Sequence, residues 1–376
     1  MEAGTRARAD VIPCQQARRC DDARMRLVLV VGLVLAALPA CGTDTLDWSG
    51  FALLRGAAGS NALPLDDDDV SAQVQLGIDW RPSPTLGAHV HLLARNDEDG
   101  GRRGRAGIVE AYLQQAFERG EHRLRLLEGA FFLPGSRENV DALWESPYAI
   151  TSSALNAWLG EELRPIGIDA TYTLRRRWSA AVTLFRGNDT LGSTPADRGW
   201  KLHDRWTLLG EHVRVDDEYF TSVSAETDGR LGWAARGRWN NDRTVLQLTH
   251  IDNRADALEH GELLNWNTRF DIAAADFTSG DWTVAAEYGW GKTIVIHEGE
   301  SFSNDLRAGY VLVSRRLGPG RASLRAEEFY TQSVQEGHAF TAAYLWTARP
   351  KLRAGAEIIA TGEDLRAQLE LRYSFP

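Results

Sequence analysis

Along most of the chain, apolar and polar residues alternate one for one. Residues 70–80, VSAQVQLGIDW, put Val70, Ala72, Val74, Leu76, Ile78 and Trp80 on one side and Ser71, Gln73, Gln75, Gly77 and Asp79 on the other. A repeat of two is that of a strand with unlike faces, since an amphipathic helix repeats about every 3.6 residues. The last segment shows it most cleanly, with Leu365, Ala367, Leu369, Leu371, Tyr373 and Phe375 against Arg366, Gln368, Glu370, Arg372 and Ser374. Marking every such stretch predicts sixteen strands, at 46–57, 70–80, 86–95, 106–118, 122–132, 165–174, 178–186, 229–239, 244–251, 263–274, 281–291, 305–315, 321–330, 339–347, 351–360 and 364–375. Glu128 and Arg186 fall on the apolar phase and are expected to lie above any lipid.

The connections alternate in length. Those at 81–85, 119–121, 175–177, 240–243, 275–280, 316–320 and 348–350 are short; those at 58–69, 96–105, 133–164, 187–228, 252–262 and 292–304 are longer. Short turns at one end and long loops at the other belong to an all-β transmembrane antiparallel barrel, and an even strand count returns both termini to the periplasmic side. Tryptophan agrees: Trp48, Trp80, Trp178, Trp239, Trp282 and Trp346 sit on the apolar phase beside the short turns or the chain start, joined by Phe117 and Phe375. Trp233, Trp266 and Trp290 lie towards the other strand ends. Two aromatic girdles are what a membrane interface favours. In hydrocarbon every backbone group must be paired, so only helices or closed barrels span.

Composition alone misleads. The 376 residues are 43% hydrophobic and 25% charged, with a net charge of −10 and a mean hydropathy of −0.33, figures that resemble a soluble protein. Thirteen Trp, nine Tyr and twelve Phe argue against disorder, and an acidic chain is a poor nucleic-acid partner.

The longest apolar run, 27–38 (LVLVVGLVLAAL), follows Arg24 and Arg26. It is too short for a spanning helix of about 20 residues and reads as a secretory signal, with Met25 the true start. Residues 1–41 are therefore expected to be an extension plus signal, and 42–376 one barrel domain. Leu38-Pro39-Ala40-Cys41 is close to a lipobox, but Ala40-Cys41-Gly42 reads as ordinary cleavage, which is favoured. No cysteine follows Cys41, so the body has no disulfide framework and no thiolate metal site. Without residues 1–41, which hold six arginines and four acids, 36 basic and 48 acidic residues remain, a charge of −12.

These features together resemble a Gram-negative outer-membrane porin of the sixteen-stranded type. The segment GAFFLP at 129–134, the loop SRENVDALWESPYAITSSALNAWLGEELRP and the following RPIGIDATYTL are loosely similar to phosphate-selective porins. A lysine-rich phosphate ladder is missing, since Lys201, Lys292 and Lys351 are the only lysines. The resemblance implies that the loop after strand 5, at 133–164, folds into the lumen and narrows it. It also implies a homotrimer, and recognition of Tyr373 and Phe375 by the barrel-insertion machinery; Pro376 departs from the usual terminal Phe. Outer-membrane lipid and lipopolysaccharide are the expected surroundings.

On the polar phase stand Arg123, Arg125, Arg236, Arg238, Arg269, Arg307, Arg325, Arg353, Arg366 and Arg372, against Asp79, Glu110, Asp169, Asp271, Glu287, Glu327, Glu357 and Glu370. The inward loop carries Glu138, Asp141, Glu145, Glu161 and Glu162 against Arg137 and Arg164. An acidic loop facing an arginine-bearing wall, with Arg123 and Arg125 opposite it, would set up a transverse field at the constriction, the way charged rings tune pores. The alternative is that these arginines only satisfy the wall by pairing. Trp144, Tyr148 and Trp158 offer a stacking slide for sugars or, more commonly, packing anchors.

His89 and His91 point the same way but lack a third ligand, and the four aspartates at 66–69 sit in no spaced calcium loop, so no metal or cofactor is expected. No nucleophile–base pair and no phosphate loop assembles. The expected function is passive diffusion of small polar or charged solutes through a water-filled channel, without catalysis. The alternatives are a barrel hydrolase, which requires an essential His with Ser or Asp, and a closed scaffold or surface receptor whose 187–228 loop binds. Single-channel conductance separates the first from the rest.

Overall fold

The computed structural model describes residues 45–59, 70–96, 106–215, 220–362 and 364–375. The signal region with Met25 and Cys41, the aspartates at 66–69 and Pro376 lie outside them. Sixteen antiparallel strands close into one barrel in sequence order. They are β1 (Thr45–Gly59), β2 (Val70–Arg81), β3 (Leu86–Arg95), β4 (Ala106–Arg119), β5 (His122–Ala130), β6 (Ile166–Leu174), β7 (Trp178–Arg186) and β8 (Gly232–Asn240). The second half comprises β9 (Thr244–Asp252), β10 (Asn267–Ser279), β11 (Trp282–His297), β12 (Glu300–Leu317), β13 (Gly320–Thr331), β14 (Gln335–Arg349), β15 (Leu352–Thr361) and β16 (Asp364–Phe375). The barrel closes where β1 meets β16, with Gly50 opposite Phe375 and Gly59 opposite Arg366. Every predicted strand is present. Strands β11 and β12 run on past the expected 292–304 loop and join through Glu298 and Gly299, both in left-handed backbone.

Alternation becomes inside and outside. On β16, Leu369 is 67% exposed, while Arg366, Gln368, Glu370 and Arg372 are buried towards the interior. A closed barrel with an exposed apolar belt is a membrane surface. Trp48, Trp178, Trp282 and Trp346 are exposed on the outer face beside the short-turn end, and Trp290 towards the other.

Two segments of the inner wall invert the sequence reading. On β10, Thr268, Phe270, Ile272 and Ala274 are buried inward, whereas Arg269 is exposed and Asp271 sits on the same outer face. On β12, Leu306, Ala308 and Leu312 face inward and Arg307 faces out, over the Tyr330 ring. Trp266 is likewise buried, against Ala196 and Val295, and belongs to no girdle. The cause is packing: at these levels the interior is filled with apolar side chains, so the rule "apolar outward" fails. The outer face above the lipid is free to carry charge.

Candidate functional site

The filling comes from two loops. Loop A (133–165) joins β5 to β6 and contains the helix α1 (Ala154–Glu162), every residue of which is buried. Loop B (187–231) joins β7 to β8, and Leu191, Trp200, Leu202, Trp206 and Leu208 on it are buried. Leu155, Trp158 and Leu159 of α1 pack with Trp200 and Leu202 of loop B against the inward Phe270, Ile272, Leu306, Phe329 and Ile359. Trp158 meets the Trp200 and Phe270 rings edge-on at 5.4 and 4.8 Å, a favoured aromatic geometry. Trp144 stacks on Phe132 at 4.6 Å, and Tyr148 packs with Ala285, Tyr310 and Leu312. The three aromatic residues proposed as a slide are therefore placed as packing anchors.

Polar contacts fix loop A to the wall from both directions. Wall carboxylates accept from its backbone and side chains: Glu287 from the N–H of Arg137 (2.7 Å) and from Asn156 Nδ2 (3.1 Å), Glu327 from the N–H of Ala154 (2.8 Å), and Glu357 from the N–H of Ile150 (2.7 Å). Wall arginines meet loop acids: Arg325 donates to Glu138 at 2.6 Å and to its neighbour Glu327 at 2.8 Å, and Arg372 donates to Glu145 at 2.7 Å. Arg325, Glu138 and Glu145 are buried. Buried charges persist only when paired and hydrogen-bonded, and these are. The expected separation of acidic loop from arginine wall has collapsed into direct ion pairs, made by Arg325 and Arg372 rather than by Arg123 and Arg125.

The remaining loop acids divide. Glu161 and Glu162 turn towards loop B. Glu162 accepts from Trp158 Nε1 (2.6 Å) and from the N–H groups of Gly192 and Thr194 (both 2.7 Å), and Glu161 pairs with Arg198 at 2.5 Å. Gly192 has a φ of +96°, and a Cβ there would strike Thr268 and Thr293 on the wall, so glycine allows the close approach. Asp141 lies on the exposed tip of loop A, in the field of Arg353, Arg321 and Arg372. Glu110 sits at a β-bulge that turns Val109 and Glu110 inward together, and accepts from the N–H of Phe132 at the root of loop A. His91, bonded to Gln75 at 2.8 Å, and His89, beside Asp79 at 3.1 Å, line the same wall.

Loop B spans the lumen above loop A. Arg55 on β1 grips Asp204 with two nitrogens, at 2.7 and 2.6 Å, and Arg95 on β3 pairs with Glu211. Trp200 Nε1 donates to the carbonyl of Tyr330 on β13 at 3.0 Å. Sequence reasoning missed this role. Trp200 and Trp206 with Leu191, Leu202 and Leu208 in one long connection were the available signal, because such side chains seek burial.

Below loop A, the short-turn end of the lumen stays open as a basin of about 790 Å³, lined by Arg123, Arg125, Arg236 and Arg238 with Arg175 and Arg176 from the β6–β7 turn. Asp169 pairs with Arg236 on its wall. Of the residues expected to line the pore, Arg269, Asp271 and Arg307 stand on the outer face.

No model of a known protein family matches the chain, and no curated protein matches it in sequence. Solved structures do match. OmpF of Salmonella typhi has a TM-score of 0.56 at 11% identity over 88% of this chain and 98% of its own. OmpT, an outer membrane protein of Vibrio cholerae in trimer form, has 0.55 at 9% over 89% and 100%. A porin structure has 0.51 at 12% over 88% and 100%. The chain has the sixteen-stranded porin fold.

Proposed function

We propose that the protein is an outer-membrane porin, exported by its N-terminal signal, that passes small polar or charged solutes without catalysing a reaction. The observation that carries this reading is the way the lumen is filled. A sixteen-stranded barrel is wide enough for an aqueous channel, and here the width is taken up by two surface loops. Both are fixed to a charged wall by side-chain hydrogen bonds and ion pairs. Such contacts are exchangeable, so the loops act as a constriction that sets how much passes. The porin-like neighbours support a barrel channel, and the trimeric neighbour supports a homotrimer. Tyr373 and Phe375 at the end of β16 serve the insertion machinery, and the exposed belt faces outer-membrane lipid and lipopolysaccharide.

The burial of loop B favours one second reading, a closed barrel that acts as a scaffold or surface receptor. Planar-bilayer recordings of the purified protein divide the two: stepwise current supports the porin. Silence that persists after loop B is released supports the closed barrel.

A further inference from the structure

The basin at the short-turn end is built unlike the rest of the lumen. Elsewhere in the lumen Arg55, Arg95, Arg325, Arg353 and Arg372 each meet an acid; here arginines accumulate. Arg123 and Arg125 project from β5, Arg236 and Arg238 from β8, two residues apart in each case and so on one face of their strands. Between them Arg175 and Arg176 occupy the β6–β7 turn with φ of 53° and 54°, a conformation that non-glycine residues adopt at a cost. Three of the six have acidic partners: Glu118 for Arg123 at 3.2 Å, Glu121 for Arg175 at 2.7 Å, and Asp169 for Arg236. Among the described residues, Arg125, Arg176 and Arg238 have no ion-pair partner. Arg125 Nε, Arg238 Nε and Arg236 Nη1 are buried donors with nothing to donate to. Arg236 is 8% exposed, so its unused nitrogen is an unpartnered polar group well inside the wall.

Unpaired guanidinium groups facing one another in a recess repel, and their buried donors lose hydration without return. A bound anion removes both costs, and guanidinium forks match oxyanions in bidentate geometry. The volume of about 790 Å³ suits a small molecule. Loop A, through Pro134, bounds the basin on its inner side. We propose that this basin is a binding site for a small hydrophilic oxyanion of two or more charges, taken from the periplasmic side. The site is independent of conduction, because its ligand need not pass the loops to bind.

The test uses full-length protein in detergent micelles, titrated calorimetrically with citrate and with pyrophosphate, and with acetate and glucose as comparisons. One citrate or pyrophosphate is expected to bind per chain, more weakly as salt is raised, with acetate far weaker and glucose silent. R125Q and R238Q are each expected to weaken binding about tenfold or more, the scale of one charge-assisted hydrogen bond, and R125K less. A wild-type measurement guards against misfolding of the variants. In arginine modification by phenylglyoxal read by mass spectrometry, citrate should protect Arg125 and Arg238 but not Arg269 on the outer face. Absence of citrate and pyrophosphate binding, equal affinity in folded variants, or unprotected Arg125 and Arg238 would each overturn the proposal. None of these readouts involves ion current, so the porin reading stands or falls separately.

Discussion

Arg55 and Asp204 lie 149 positions apart in sequence and meet through a two-pronged ion pair at 2.7 and 2.6 Å. Their contact, with that of Arg95 and Glu211, holds loop B across the barrel far from its own root between β7 and β8. A loop tied at both of its far contacts by charge should loosen when the charge is removed. Asp204→Ala combined with Glu211→Ala is expected to raise single-channel conductance and the swelling rate of proteoliposomes in a small sugar. Unchanged rates in the folded double variant would mean that loop B does not limit passage.

The Arg325–Glu138 pair is buried on both sides. Removing one member of such a pair strands the other and costs about 3–5 kcal/mol. Arg325→Ala should therefore lower the midpoint of urea unfolding in lipid vesicles by much more than Arg123→Ala, whose side chain is half exposed. Because Arg325 also holds Glu327, adding Glu138→Gln should cost less than the sum of the single changes.

Loop B carries its own pH dependence. Burial, with the nearby charges of Asp228 and Glu226, lifts the Asp189 carboxyl to about 6 from an ordinary value of 3.8. Where folded Asp189 keeps its proton and the unfolded chain has lost it, the folded loop binds more protons, so its stability falls as pH rises. Docking of loop B is thus strongest below about 4, the ordinary aspartate range, and weakens as pH climbs through about 6. Hydrogen exchange in residues 189–228 should accelerate over that window beyond its intrinsic rise. Asp189→Asn is neutral throughout and still accepts from Thr227, so it should flatten the effect.

The inverted strand gives a labelling test. The body lacks cysteine, so single substitutions report cleanly. Arg269→Cys, on the outer face, should react with a membrane-impermeant thiol reagent without altering current. Phe270→Ala should open a hole under Trp158 and cost about 3–5 kcal/mol in unfolding free energy, the scale for a buried aromatic residue. The reverse pattern would restore the lumen placement of Arg269.

The barrel itself was legible because lipid imposes a strict rule on one face of every strand, and β16 obeys it from Leu365 to Tyr373. The interior was not, because a lumen can be lined by water or by protein. Where α1 and Trp200 fill it, Phe270, Leu306 and Phe329 turn inward and look like lipid-facing residues. The acids of loop A were found, but their partners were not: which arginine meets Glu138 depends on the path of the loop, and sequence spacing does not encode a contact across 187 positions. Loop B hid for the opposite reason, since its tryptophans lie in no periodic pattern.

Single-channel recording in planar bilayers tests the central claim most directly, with the wild type beside the Asp204→Ala, Glu211→Ala variant. A porin throttled by two exchangeable loops is expected to give small resolvable steps in the wild type and larger ones in the variant. If both insert and neither passes current, the barrel is closed and the channel reading is wrong.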